Sequence, residues 1–193
     1  MASDRDLIQI VDAALAEANR KAGAWLVCKP GCTECCIGPF PITQLDAVRL
    51  RHGLAQLEAV DSGRAARVSG RARQAVDKMA GDFPGDLASG ILAEDEEAEE
   101  RFATLAEEDA CPALDPETGM CDLYEFRPIT CRTFGPSIQW CGDDLGVCEL
   151  NFQGAGDEEI ASCAVSINAG DLESELLAGL PAGQTIVAFA LVR

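Results

Sequence analysis

Residues 28–36 read Cys-Lys-Pro-Gly-Cys-Thr-Glu-Cys-Cys and put four thiols, Cys28, Cys32, Cys35 and Cys36, into nine positions. Packing, a disulfide, a catalytic thiol and a metal site all use cysteine, and they differ in what must surround it. Buried structural cysteines occur singly, so four in one short stretch is not core packing. A disulfide between the neighbours Cys35 and Cys36 would be strained, because adjacent residues do not suit the preferred dihedral. Catalysis by a Cys–His pair meets a counting problem: the only histidine is His52, on the polar side of an expected helix. The same count removes a histidine-rich zinc site. Cys32-x-x-Cys35 is the spacing of a knuckle that presents two sulfurs to one ion. Cys28 lies one turn earlier, across Pro30, which stiffens the loop, and Gly31, which permits tight backbone geometry around sulfur. Inward-pointing thiolates repel one another, and a bound cation removes that cost. Ligands that are mainly sulfur select zinc or an iron–sulfur cluster.

A second block of sulfur runs from Cys111 through Cys121, Cys131 and Cys141 to Cys148. Cys121 and Cys131 stand too far apart to form a knuckle, and Pro128 prevents the segment between them from being a regular helix throughout. Arg127 and Arg132 flank Cys131 in an otherwise acidic chain. Four thiolates on zinc or on a cluster carry surplus negative charge, which guanidinium groups near the sulfur would offset. The alternative is that both arginines merely pair with Asp or Glu on the surface. Cys141-Gly-Asp-Asp-Leu-Gly-Val-Cys148 could complete a second site or replace a ligand of the first. Cys163 sits in the apolar run Ile160-Ala-Ser-Cys-Ala-Val and reads as core.

Composition narrows the partners. The chain has 193 residues, 48% apolar and 5% aromatic, with a net charge of −18. Such a charge argues against nucleic acid and anionic membrane surfaces, which need Lys and Arg to neutralise phosphate. No apolar run approaches the roughly 20 residues that span a bilayer. The N-terminus lacks the basic start and apolar stretch of a secretory signal. The expected compartment is therefore the cytoplasm, where thiols stay reduced and a cysteine-rich chain reads as metal-binding.

The elements that must position these thiols are mostly helical by pattern. Leu7, Ile8, Val11, Leu15, Ala18 and Ala22 mark one face of an amphipathic helix, with Ser3 as cap and Asp4 and Asp6 favourable at its start. Gly38-Pro39-Phe40-Pro41 reads as an irregular turn. Thr43 with Asp46 resembles a capping box opening a second helix through Leu45, Val48, Leu54 and Leu57. Residues 63–73 are Arg-rich and residues 94–109 acidic; both predict helices with solvated faces, paired with each other or not, broken at Gly81–Gly85. The Pro- and Gly-rich block from Cys111 to Cys148 has no clean period, and such a region needs a staple, here a metal. Asp171–Leu180 predicts a short helix. Residues 186–192 are a buried strand or a buried helix, which periodicity does not separate.

Cys28-x3-Cys32-x2-Cys35 is also the spacing that radical SAM enzymes use for an open cluster. Glu34 replaces the usual aromatic, Cys36 adds a fourth thiol at once, and no strand–helix alternation for a barrel is visible. The two cysteine blocks together instead resemble the YkgJ-type cysteine-cluster family, the zinc- or iron-chelating CxxxCxxCC domain. The likeness rests on Cys28, Cys32, Cys35 and Cys36, on the following GPFPIT run, on Cys111-Pro-x-Leu, and on Gly-x-Cys-x-x-Tyr-x-x-Arg-Pro-x-x-Cys-Arg-x-Phe at Gly119–Phe134. It implies a small, mostly helical domain around a cysteine-ligated metal centre. Residues 53–106, long and strongly charged, depart from that pattern.

The resulting expectation is one mainly α domain over 1–193, with motif blocks 25–52 and 111–150, a charged helical insertion at 53–106, and a loop-rich metal centre. Cys28–Cys36 and Cys111–Cys131 are expected to meet in space. Seven thiols, or nine with Cys141 and Cys148, exceed the four that one zinc or one cubane uses. A [4Fe–4S] cluster is preferred to zinc. Two functions remain: a metal-binding protein in metal handling, redox or protein interaction, and an iron–sulfur-dependent enzyme modifying a protein or peptide, with SAM. Tyr124, Arg127 and Arg132 are the groups expected to contact a cofactor; no catalytic residue is assigned.

Overall fold

The computed structural model describes residues 3–29 and 31–193; Pro30, expected to stiffen the first cysteine loop, lies outside them. Among these residues the helices, in chain order, are α1 (Asp4–Ala22), α2 (Gln44–Val60), α3 (Ser62–Met79), α4 (Glu96–Ala103), α5 (Ile129–Thr133), α6 (Asp157–Cys163), α7 (Gly170–Leu177) and α8 (Val187–Val192). The strands are short: β1 (Gly85–Asp86), β2 (Ile91–Leu92), β3 (Leu114–Asp115), β4 (Met120–Cys121), β5 (Ile138–Trp140), β6 (Asp143–Asp144) and β7 (Val165–Ile167). With 51% helix, the chain is mainly α, as expected. It divides into two compact units, each built from two stretches of sequence.

The first unit comprises Met1–Pro30 and Ile129–Leu180. The Ser3 hydroxyl and the Asp6 carboxylate cap α1 reciprocally, which satisfies backbone N–H groups that have no partner inside the helix. Its apolar face, Leu7, Val11, Leu15, Ala18 and Ala22, is buried as the periodicity predicts. That face meets α5, α6, α7 and β7. Cys163 closes α6 inside an apolar cluster with Ala22 and Phe152, so its reading as core holds. The sheet order is β6-β5-β7, antiparallel between β5 and β6 and parallel between β5 and β7. The turn from β5 to β6 is Cys141-Gly142, with φ of 52° and 100°, the left-handed pair that two-residue hairpins favour.

The second unit comprises Gly31–Pro128 and Pro181–Arg193. The Thr43 hydroxyl accepts the Asp46 N–H to start α2, while the Asp46 carboxylate forms a buried ion pair with Arg49. The Asp61 carboxylate starts α3 directly after it. Residues 187–192 are a helix, not a strand. This α8 packs against both α2 and α3, and its apolar residues fill two adjoining clusters. Apolar on every side, it is buried on every side, which is why its pattern carried no period. Two expectations are corrected in extent. The acidic helix spans only 96–103, because Leu105 turns into the core and Ala106 takes a positive φ of 49°. The helix expected at Asp171–Leu180 runs from Gly170 to Leu177. Gly81–Gly85 does break the helices, leading into the β1–β2 hairpin. No helix among the described residues is long and apolar enough to cross a membrane.

Candidate metal centre

Backbone pairing brings the thiols of the second unit together. Residues 34–36 form one 3-10 turn, closed by the Cys36 N–H donating to the Thr33 carbonyl at 2.8 Å. The Cys36 carbonyl accepts the Cys111 N–H at 2.7 Å, and Gly38 N–H donates to the Asp109 carbonyl at 2.8 Å. An isolated bridge between Ile37 and Ala110 lies between these two bonds. The 36–38 and 109–111 segments are thereby zipped antiparallel, with Cys36 opposite Cys111. Cys111-Pro112-Ala113-Leu114 is a tight turn, closed by the Leu114 N–H to the Cys111 carbonyl at 2.9 Å, with Pro112 at the position that proline's fixed φ suits. The β3–β4 hairpin then folds back, pairing Leu114 with Cys121, and Asp122 N–H donates to the Ala113 carbonyl at 2.7 Å.

The charges show what this brings together. Cys35 and Cys36 are hydrogen-bonded through their side chains, which pulls the Cys35 thiol down to about 6 and pushes Cys36 up. Burial adds to the rise at Cys36, as do the charges of Cys35, Cys111 and Cys121. Cys111 is pushed up to about 12, chiefly by burial of its sulfur, although the residue as a whole is only half-buried. Cys121 is also pushed up by burial. Arg127 acts on both Cys35 and Cys121, favouring their thiolates. Cys35, Cys36, Cys111 and Cys121 thus lie within electrostatic reach of one another. Cys32 is half-buried on the same loop. Among the described residues, no three Cys, His, Asp or Glu side chains already converge at coordination distance.

Arg127 stacks its guanidinium 3.8 Å from the centroid of the Tyr124 ring and donates to the Tyr124 carbonyl at 2.8 Å. Tyr124 is 53% exposed, so this pair forms a solvent-facing platform beside Cys121. His52, on α2, lies edge-on to Phe126 and within 2.7 Å of Gln56 Nε2. Of the basic residues on α3, Lys78 pairs with Asp109 of the acidic segment, whereas Arg64 and Arg71 both pair with Asp122, next to Cys121. The Arg-rich helix therefore serves the second cysteine block more than it serves the acidic segment.

The first unit holds Cys28, Cys131, Cys141, Cys148 and Cys163. Asn151, 3% exposed, fixes Cys28. Its Oδ1 accepts the Val27 N–H at 3.0 Å, and its Nδ2 donates to the Gly135 carbonyl at 2.9 Å and to the Cys28 sulfur at 3.4 Å. The Gly135 carbonyl also accepts the Cys148 N–H at 3.3 Å. Gly135 has φ of 120°, and an added Cβ would lie 3.4 Å from the Cys28 sulfur. Cys148 is buried, Cys141 is exposed at its turn, and Cys131 lies on α5 just after Pro128. Arg132 is buried beside it and forms an ion pair with Asp12 of α1 at 2.6 Å.

The family model of the CxxCxxCC domain, described as a putative zinc- or iron-chelating domain, matches residues 27–151, well over half of the chain. The chain belongs to this family. No curated protein and no solved structure matches it. The CxxCxxCC match encloses both cysteine blocks and all of α2, α3 and α4, so the charged segment lies inside the matched region. In this member the first cysteine step spans three residues, Cys28 to Cys32, not the two of the family's name. The chemistry of these side chains suits the family's metals: Cys35, Cys36, Cys111 and Cys121 are all thiols, with Arg127 beside them. Sequence reasoning missed Asn151, Arg64, Arg71 and Asp122. Asp122 directly follows a cysteine, and Arg64 and Arg71 lie in the Arg-rich stretch 63–73, the local signals that point to them.

Proposed function

We propose that this CxxCxxCC protein is a cysteine-ligated metal-binding domain carrying an iron–sulfur cluster, in a metal-handling, redox or protein-interaction role in a reducing compartment. The observation that carries the reading is the backbone pairing that sets Cys36 opposite Cys111 and returns Cys121 beside the Cys111 turn, with Cys32 and Cys35 on the same loop as Cys36, five thiols within one unit. Four sulfurs satisfy either one zinc or one cubane. The cluster is preferred because surplus thiols with arginines beside them suit a larger centre than a single zinc ion. The side-chain hydrogen bond between Cys35 and Cys36 lowers the first and, with burial, raises the second, while burial raises Cys111 and Cys121, so the buried thiols favour their protonated form. Metal entry must then release protons, so affinity should climb with pH.

The test is iron, zinc and acid-labile sulfide content with a visible spectrum, on protein purified without oxygen or metal-binding tags. Matching iron and sulfide with broad visible absorption supports the cluster; colourless protein with stoichiometric zinc overturns it in favour of zinc. Cys35→Ser and Cys32→Ser should lose metal and Cys163→Ser should keep it. Unchanged metal content in either of the first two removes that residue from the ligand set. A second reading, SAM-dependent modification of a protein or peptide, draws on the exposed Tyr124–Arg127 platform beside Cys121. Saturable SAM binding to the cluster-loaded protein, lost in Arg127→Ala, would support it.

A further inference from the structure

Arg71 lies on α3, two helical turns after Arg64 and on the same side of the helix. The stripe Ala65, Val68, Ala72 and Met79 is buried, and the two arginines flank it. Their partners are not solvent ions. Arg71 donates from Nε to the Pro112 carbonyl at 2.9 Å and from a terminal nitrogen to Asp122 Oδ2 at 2.5 Å. Pro112 immediately follows Cys111, and Asp122 immediately follows Cys121. A single guanidinium fork therefore spans the neighbours of two thiols ten residues apart in sequence. The Asp122 side chain is 1% exposed, and Arg64 takes its other oxygen. The Asp122 N–H bond to Ala113 ties the same two segments through the backbone.

We propose that Arg71 is a positioning residue of the metal centre, holding the Cys111 turn and the Cys121 strand at one fixed separation. The inference rests on the metal-binding reading above and names what sets the geometry of that site. A guanidinium can do this because its donors are rigid and coplanar, so two acceptors on different segments are fixed relative to each other. A lysine keeps the charge but concentrates its donors on one rotatable atom, and loses the fork. Thiolates held at a fixed separation lose little freedom when they close on an ion, whereas thiolates on two loose segments must be ordered by the ion itself. Outer contacts of this kind are worth about 10–100-fold in metal affinity.

The experiment uses the full chain stripped of metal under reducing conditions and titrated with cobalt(II) against a competing chelator. The variants are Arg71→Gln, Arg71→Lys and, as control, Arg73→Gln, which removes an equal charge from an exposed position of the same helix. Both Arg71 variants are expected to weaken cobalt about 10–100-fold and to shift or flatten the thiolate-to-cobalt charge-transfer band. Arg73→Gln is expected to match wild type. Circular dichroism of the metal-free proteins shows whether Arg71→Gln folds; Arg71→Lys, which keeps the charge next to Asp122, decides the matter if it does not. Wild-type affinity and spectrum in Arg71→Lys would overturn the proposal, as would equal losses in Arg71→Gln and Arg73→Gln. Failure of wild type itself to bind cobalt through thiolate would overturn the metal-binding reading, and this inference with it.

Discussion

Gly53→Ala in the middle of α2 sets two effects of opposite sign against each other. Alanine in place of glycine inside a helix stabilises by about 1 kcal/mol, because the unfolded chain has less backbone freedom to lose. Here the new methyl would sit 2.5 Å from Phe126 Cδ2 and 2.6 Å from Phe126 Cβ, where ordinary contacts are 3.4–4 Å. Ring rotation cannot relieve a clash with Cβ, so the backbone of the turn at Tyr124–Phe126 has to move. That turn lies between Cys121 and Pro128, and its flanking segments are held by the β3–β4 hairpin and the Asp122 ion pairs. Overpacking of this kind costs about 1–3 kcal/mol. The edge contact of His52 with Phe126 would be disturbed as well. The clash should win, leaving a net loss of up to about 2 kcal/mol and a fall in Tm of up to about 8 °C. Calorimetry on the metal-free protein reads it, and the pair Gly53→Ala with Phe126→Ala should cost less than the two single changes added. An unchanged or higher Tm in Gly53→Ala would refute the reasoning, since helix propensity would then have prevailed over the contact.

Asn151→Ala removes one acceptor and two donated bonds that tie Cys28 to the segment after α5, and should cost about 1–3 kcal/mol by denaturant titration. Faster alkylation of Cys28 should accompany it, and wild-type stability with wild-type alkylation would sink the assignment. Asp6 shows a pH effect of known sign. The hydrogen bond with Ser3 lowers its carboxyl below the ordinary 3.8, so its contribution is complete above that value and is lost as pH falls through the lower folded pKa. The stability gap between wild type and Asp6→Asn should therefore close as the solution is acidified below pH 3.8; a gap that widens there contradicts the cap. Asp6 is exposed, so only the direction is diagnostic.

Whatever rests on neighbours in sequence was legible from sequence. The α1 face and its Ser3–Asp6 cap, the Thr43 cap of α2, and the break at Gly81–Gly85 all depend on residues within a few positions of one another. The two cysteine blocks were legible because cysteine spacing is itself a local pattern. Length was harder than existence: the acidic helix stops at Ala103 because Leu105 finds an apolar cluster, and nothing in the run of glutamates marks that. The apolar run at 186–192 has no polar face from which to read a period.

The arginines of α3 mark where reading by pattern stops. On a helix wheel, Arg64, Arg67, Arg71 and Lys78 make a basic stripe beside a buried one, and such a stripe usually faces water. Its meaning depends on Asp122, which lies 51 residues beyond Arg71. In an acidic chain of net charge −18 any carboxylate could have been the partner. What selects Asp122 is burial. At 1% exposure it has almost no water to solvate it, so it must be paired within the fold, and two guanidinium groups do so. Arg64 and Arg71 keep 39% and 22% exposure, which lets the cationic side of the pair stay partly hydrated. The cost of burial thus falls on the carboxylate next to Cys121, and relieving it ties α3 to the thiols. A charged segment that reads as a solvated insertion becomes, through one buried aspartate, a wall beside the Cys111 turn and Cys121.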